Sequence, residues 1–184
     1  CLGRSKATRP APTAPAPPLE PCLQPRTWEG VVYRPLDPSA FDPARALFTY
    51  VAAWVPPAEG EMLGWGAWAG ESGSLVGALL LEPRRGVGML HGPVVVDQPD
   101  PFEVASQLVA ATLPHATALG VDTLFTRPQG LDRVWVRFGF IPVPERELPQ
   151  FFKGRPGSGL FAWRGGSALW SARRAGSDEV DDGR

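Results

Sequence analysis

From Val94 to Pro144 the chain reads VVVDQPDPFEVASQLVAATLPHATALGVDTLFTRPQGLDRVWVRFGFIPVP. An apolar strand is followed by a turn rich in acids and prolines, then by a long helix, a second strand, a short helix and a third strand opened by Gly139-Phe140. A helix of that length between two short strands crosses over and makes them parallel neighbours. Such sheets carry ligands near the carboxyl ends of their strands. The stretch therefore predicts an α/β (α+β) architecture with a ligand-bearing sheet.

The remaining segments extend this frame on both sides. Residues 1–27 are dominated by proline and alanine and offer little to bury, so they read as a disordered leader. The ordered domain is expected over 28–170, and residues 171–184 read as a disordered charged tail. Val31, Val32 and Tyr33 favour a strand that stops at Pro35. Asp42 is expected to cap a helix starting at Pro43, with Ala46, Leu47, Tyr50, Val51 and Trp54 forming its apolar stripe. MLGWGAWAG, LVGALLLE and VGMLHGPVVV then read as three strands. Proline cannot donate to a ladder, so Gly92-Pro93 predicts a bulge in the third of them. The segment 144–159 reads as a long polar loop, and GLFAWRGGSALW as a last strand or ribbon. The expected order is β-α-β-β-β-α-β-α-β-β, with about seven strands in one mixed sheet.

Charge and cysteine usage narrow the function classes. A formal net charge of -1 over 184 residues gives no electrostatic footprint for nucleic acid, and no apolar run approaches the roughly 20 residues of a spanning helix. The expectation is a protein that engages neither nucleic acid nor membrane. Cys1 and Cys22 both lie in the leader, so neither a stapled core nor a metal site follows, and a reducing cytoplasm is expected. A chain beginning at cysteine is expected to be a fragment or a processed product.

The segment VWVRFGFIPV places an aromatic residue four positions before Gly-Phe. With the order of elements, it resembles the GNAT superfamily of acyl-coenzyme A dependent N-acetyltransferases over about residues 30–170. The resemblance implies acetyl-coenzyme A (acetyl-CoA) as cofactor, with its pantetheine arm admitted between two parallel strands at the Gly92-Pro93 bulge. It further implies Val94, Val95, Val96, Gln98 and Trp135 as cofactor-binding residues. The family's phosphate loop is glycine-rich, whereas here the turn from Asp97 to Glu103 reads DQPDPFE. Two prolines lack N–H donors, and a D-x-x-E capping box at Asp100 and Glu103 would use the helix's free donors itself. Arg84-Arg85-Gly86-Val87-Gly88 imitates part of that loop, but the Gly-Pro and valines after it suit a hairpin rather than a long helix.

His91, in mid-strand beside the expected bulge, and Glu82, at a strand end, are the catalytic candidates; a hydrogen-bonded structural histidine and a solvated glutamate are the competing readings. Trp135 stands where the family often has an acidic tyrosine, and its indole is only a donor, so packing is its expected role. His115 is expected at a surface or groove, and Trp65 and Trp68 on opposite sides of a strand. No nucleophile elbow and no metal-ligand spacing occurs. The expected function is transfer of an acyl group to an amine of a small molecule or peptide. The alternative is a non-catalytic GNAT-like binding or dimerisation module that has lost acetyl-CoA binding, with a homodimer as one such arrangement.

Overall fold

The computed structural model describes residues 21–58, 60–71, 73–128, 130–155 and 169–173. A 3-10 turn at Pro21–Leu23 precedes a hairpin of β1 (Arg26–Trp28) and β2 (Val31–Pro35). Helix α1 (Phe41–Tyr50) follows, then the antiparallel strands β3 (Leu63–Ala69), β4 (Ser74–Arg84) and β5 (Val87–Val95). Helix α2 (Pro101–Ala118) crosses over to β6 (Thr123–Thr126), α3 (Asp132–Arg137) leads to β7 (Ile141–Pro142), and β8 (Trp170–Arg173) inserts between β6 and β7. Among the described residues the eight strands form one mixed sheet in the order β1-β2-β3-β4-β5-β6-β8-β7, and only β5 and β6 pair in parallel.

The two faces of the sheet bury different clusters. Toward α2 and α3 lie Tyr33, Trp65, Leu79, Leu81, Leu90, Leu108, Val109, Leu124 and Trp135. Toward α1 lie Leu36, Ala44, Phe48, Ala78, Leu80 and Val94. A third cluster, Met89, Phe125, Leu148, Phe152 and Leu169, covers the far end of the α1 face. Alternation along β4 explains the division, since Leu79 and Leu81 face one way and Ala78 and Leu80 the other. Gly64 marks a close approach: a Cβ there would lie 2.8 Å from the Leu79 carbonyl oxygen and 2.7 Å from a Leu80 methyl.

The bulge predicted at Gly92-Pro93 is present. Leu80 pairs with His91 and Ala78 with Val94, so β5 carries one residue more than β4 across this step. The Gly92-Pro93 peptide is cis.

Several expectations are corrected. Asp37, not Asp42, is the capping carboxylate: it accepts from the N–H groups of Ser39 and Ala40 ahead of a 3-10 turn that runs into α1. The helix consequently buries Ala44 and Phe48, while Tyr50 is 72% exposed and the chain leaves the helix before Trp54. His115 is buried rather than superficial. The segment after Pro144 contains two 3-10 turns, Glu145–Glu147 and Gln150–Phe152, that anchor Leu148 and Phe152 in the third cluster. Beyond the strands expected, β1 pairs with β2 at the sheet edge. The ribbon read in GLFAWRGGSALW lies outside the described residues, apart from the end that enters β8. Trp65 and Trp68 do face opposite sides. Among the described residues no helix is long and apolar enough to cross a membrane.

Candidate functional site

The sheet opens between β5 and β6. The two strands pair only at Val87↔Thr123, Gly88↔Leu124 and Met89↔Phe125, so from Leu90 to Val95 the β6-facing edge of β5 has no strand partner among the described residues. Backbone donors and acceptors along such an edge need partners from outside the ladder.

On the α1 face beside this opening, β4 and β5 bring Glu82 and His91 together. Alternation puts Glu82 on the same face as Leu80, and Leu80 is paired with His91. His91 Nε2 lies 3.1 Å from Glu82 Oε2, with both side chains buried. Arg155 completes the group: its Nε donates to Oε2 at 3.2 Å and its Nη2 to Oε1 at 2.9 Å. The indole of Trp54 packs against His91 with ring centroids 5.3 Å apart. Burial pushes the Glu82 carboxyl up, but the hydrogen bonds and charges of His91 and Arg155 outweigh it and hold the pKa at about 2. Glu82 and His91 were legible as candidates; Trp54 and Arg155 were not, because nothing local in the sequence ties Arg155 to a residue 73 positions away.

Past the bulge in β5, Val94 faces the same α1 cluster, whereas Val95 and Val96 pack toward α2. The Val96 N–H is committed to the Val76 carbonyl at 2.8 Å. Gln98 is half-buried and its Nε2 donates to the Asp97 carbonyl at 2.9 Å. Asp97 takes a positive φ of 50°, which closes the turn without a glycine. Asp100 caps α2 by accepting from the Glu103 N–H at 3.1 Å. The reciprocal half of the capping box is not made; the Glu103 carboxylate accepts from Gln107 Nε2 at 3.0 Å instead. The turn is thus negative, and its own Asp100 takes the Glu103 N–H. Its field extends inward, for Tyr33 is raised to about 12, first by burial and then by the charges of Glu103 and Glu29. Asp100→Ala is expected to cost about 1 kcal/mol of stability through loss of the cap, seen as a lower denaturant midpoint with unchanged slope.

Between the first turn of α2 and α3 lies a cavity of about 520 Å³, bordered by Phe102 and Ser106 on one side, Gly130 at the end, and Asp132, Arg133, Val134 and Arg137 on the other. Arg133 and Arg137 are four residues apart and so share one face of α3. Trp135 is fully buried, packs edge-on against Phe140 at 4.8 Å, and its Nε1 has no hydrogen-bond partner among the described residues. The Thr126 hydroxyl is likewise buried without a partner among the described residues. By alternation with Leu124, Thr126 faces the same side of the sheet as Trp135. Buried polar groups normally find partners, so two orphans on one face beside a strand opening suit a ligand that carries donors and acceptors. His115, by contrast, is spoken for: its Nδ1 accepts from Trp65 Nε1 at 3.1 Å, and burial lowers its pKa.

No protein-family model and no curated protein matches the chain. Solved structures do. An acetyltransferase of the GNAT family from Staphylococcus aureus aligns with a TM-score of 0.56 at 9% identity, covering 78% of this chain and 98% of that one. Arabidopsis thaliana NAA60 in complex with acetyl-CoA gives 0.55 at 14% identity, covering 78% and 98%. N-acetylglutamate synthase from Neisseria gonorrhoeae, complexed with coenzyme A and L-arginine, gives 0.59 at 18% identity; the match covers 79% of this chain but only 33% of the synthase.

Proposed function

We propose that this GNAT-fold protein is an acyl-CoA dependent N-acyltransferase acting on an amine of a small molecule or peptide. The fold likeness to acetyltransferases supports the class. The observation that carries the reading is the separation of β5 from β6 beyond Met89 and Phe125. That opening exposes a strand edge to a ligand able to hydrogen-bond along it.

The residues present fit such a cofactor, with one change of emphasis. Its amide-bearing arm would lie along the β5 edge at Val94, Val95 and Val96, and Thr126 Oγ1 and Trp135 Nε1, which have no hydrogen-bond partner among the described residues, would be further groups for a ligand to satisfy. The Asp97–Glu103 turn is unsuited to phosphate, since Pro99 and Pro101 carry no N–H, the Glu103 N–H is taken by Asp100, and its charge is negative. Arg133 and Arg137 supply the positive charge from the other wall of the cavity. When bound, acyl-CoA supplies an activated acyl thioester. The chain's own contribution is to orient and deprotonate the acceptor. Glu82, held at about 2, is a weak base while Arg155 and His91 grip it. His91 is the imidazole beside the opening, oriented by Glu82, and is the group assigned to take the acceptor's proton.

Thermal unfolding with and without acetyl-CoA tests this. At a hundred times the dissociation constant the cofactor should add about 2.7 kcal/mol and raise the midpoint by roughly 5–10 °C. Charge reversal at both Arg133 and Arg137 should weaken binding by about tenfold or more. No stabilisation by millimolar acetyl-CoA would overturn the proposal, and full retention of affinity after charge reversal would remove the arginines from it.

A further inference from the structure

The Glu82 carboxylate is buried in the sheet face, yet one of its two hydrogen-bonding partners does not come from the sheet. His91 is fixed on β5 and its side chain is 4% exposed. Arg155 enters from the strap 144–155, and its side chain is 27% exposed. Arg155 therefore forms the outer cover of the carboxylate, and the solvent side of Glu82 is closed by a guanidinium that belongs to a surface segment. The strap's last turn is local, built from Phe152–Pro149, Lys153–Gln150 and Arg155–Phe152 backbone hydrogen bonds. Gly154 beside Arg155 has a φ of 87°. Arg127 holds the Arg155 carbonyl through Nε at 3.3 Å and pairs with Glu145 at the strap's other end. The strap thus has its own anchors, independent of the Arg155 side chain.

Behind that cover lie the elements of a cation site: a carboxylate whose two oxygens meet a fork of donors, and an indole, Trp54, packed against His91, the carboxylate's other partner. We propose that Glu82 is the recognition carboxylate of an acceptor subsite for a compact organic cation, a guanidinium or primary ammonium, and that Arg155 occupies this subsite until such a cation displaces it. As an assignment of the acceptor class this rests on the N-acyltransferase reading above. The two Arg155 bonds are those any guanidinium makes, and a primary ammonium reproduces them singly. Displacement also changes Glu82, because with Arg155 withdrawn the influence that raises its pKa, burial, meets less opposition. An arriving cation is therefore matched to a carboxylate that costs free energy to leave unpaired.

The test uses the whole chain without any acyl-CoA. Binding of methylguanidinium and methylammonium is measured by calorimetry and thermal shift at constant ionic strength, with tetramethylammonium, which has no N–H donors, as control. Arg155→Ala removes the internal competitor and should bind methylguanidinium roughly tenfold or more tightly than the unsubstituted chain. Adding Glu82→Gln should abolish that binding, and tetramethylammonium should not reproduce it. Should Arg155→Ala fail to fold, Arg155→Gln, which keeps part of the stem, is read by the same criteria. Equal affinity in the Arg155 variant and the unsubstituted chain, or binding that survives Glu82→Gln, overturns the proposal. Since no acyl-CoA is present, that result leaves the cofactor experiment untouched, and failure of acetyl-CoA to bind leaves the cation subsite standing.

Discussion

Glu82→Ala is expected to destabilise the protein by about 3 kcal/mol, because truncating one partner of a buried ionic group leaves the others uncompensated. His91 is 6% exposed and fixed on β5, so it cannot turn to water. Arg155 can, which places the cost toward the lower end for buried pairs. The loss should depend on pH in a defined direction. The Glu82 carboxyl titrates at about 2 in the folded chain against 4.5 in the unfolded one. Its ionic contribution is therefore complete above about pH 4.5 and lost as pH falls toward 2. The full shift corresponds to roughly 3 kcal/mol, and solvent reaching Arg155 screens it to about 1–2 kcal/mol. Chemical denaturation of both proteins across that interval checks this: their difference in stability should shrink as the carboxyl protonates. A difference that stayed constant from pH 5 to pH 2 would assign the loss to packing instead.

Phe152→Ala should cost still more, about 3–5 kcal/mol, as the side chain is fully buried among Met89, Phe125, Leu148 and Leu169. Its ring also meets Phe151 edge-on at 4.6 Å, and Arg84 lies over the Phe151 ring at 4.9 Å, so the strap loses its main apolar anchor. Two readouts follow. The global denaturation midpoint should fall, and amide exchange at Phe152, Lys153 and Arg155, whose N–H groups close the strap's last turn, should accelerate beyond the global change. Exchange that tracks global unfolding alone would show that Phe152 does not govern the strap locally.

The sequence made the central sheet readable because its signals there are physical and local. Leucines and valines between turn residues define β4 and β5, and a proline without an N–H defines the bulge. The boundaries of α1 were harder, as Asp37 and Asp42 are both competent caps and a small change in where the helix ends redistributes its 3.6-residue stripe. β1 was missed because Arg26, Thr27 and Trp28 are all exposed and carry no alternation. At the site, Glu82 and His91 were readable because they lie on adjacent strands joined by a tight turn. The Arg155–Glu82 and Trp65–His115 contacts span 73 and 50 residues, and no periodicity encodes them. The DQPDPFE turn was read correctly as a helix start capped by Asp100, though Glu103 turns to Gln107 rather than back to the cap.

The extra residue in β5 has one more effect, on phase. In an unbroken strand, residues an odd number apart point to opposite sides, yet His91 and Val94, three apart, both face α1. The bulge acts as a half-period delay: residues before it keep time with Glu82, and residues after it keep time with Phe48 and Ala44. Deleting one residue from Gly92-Pro93 would leave the strand able to satisfy one of these companions but not both. A single strand can therefore end a polar site and begin an apolar core on the same face only because it loses count once between them.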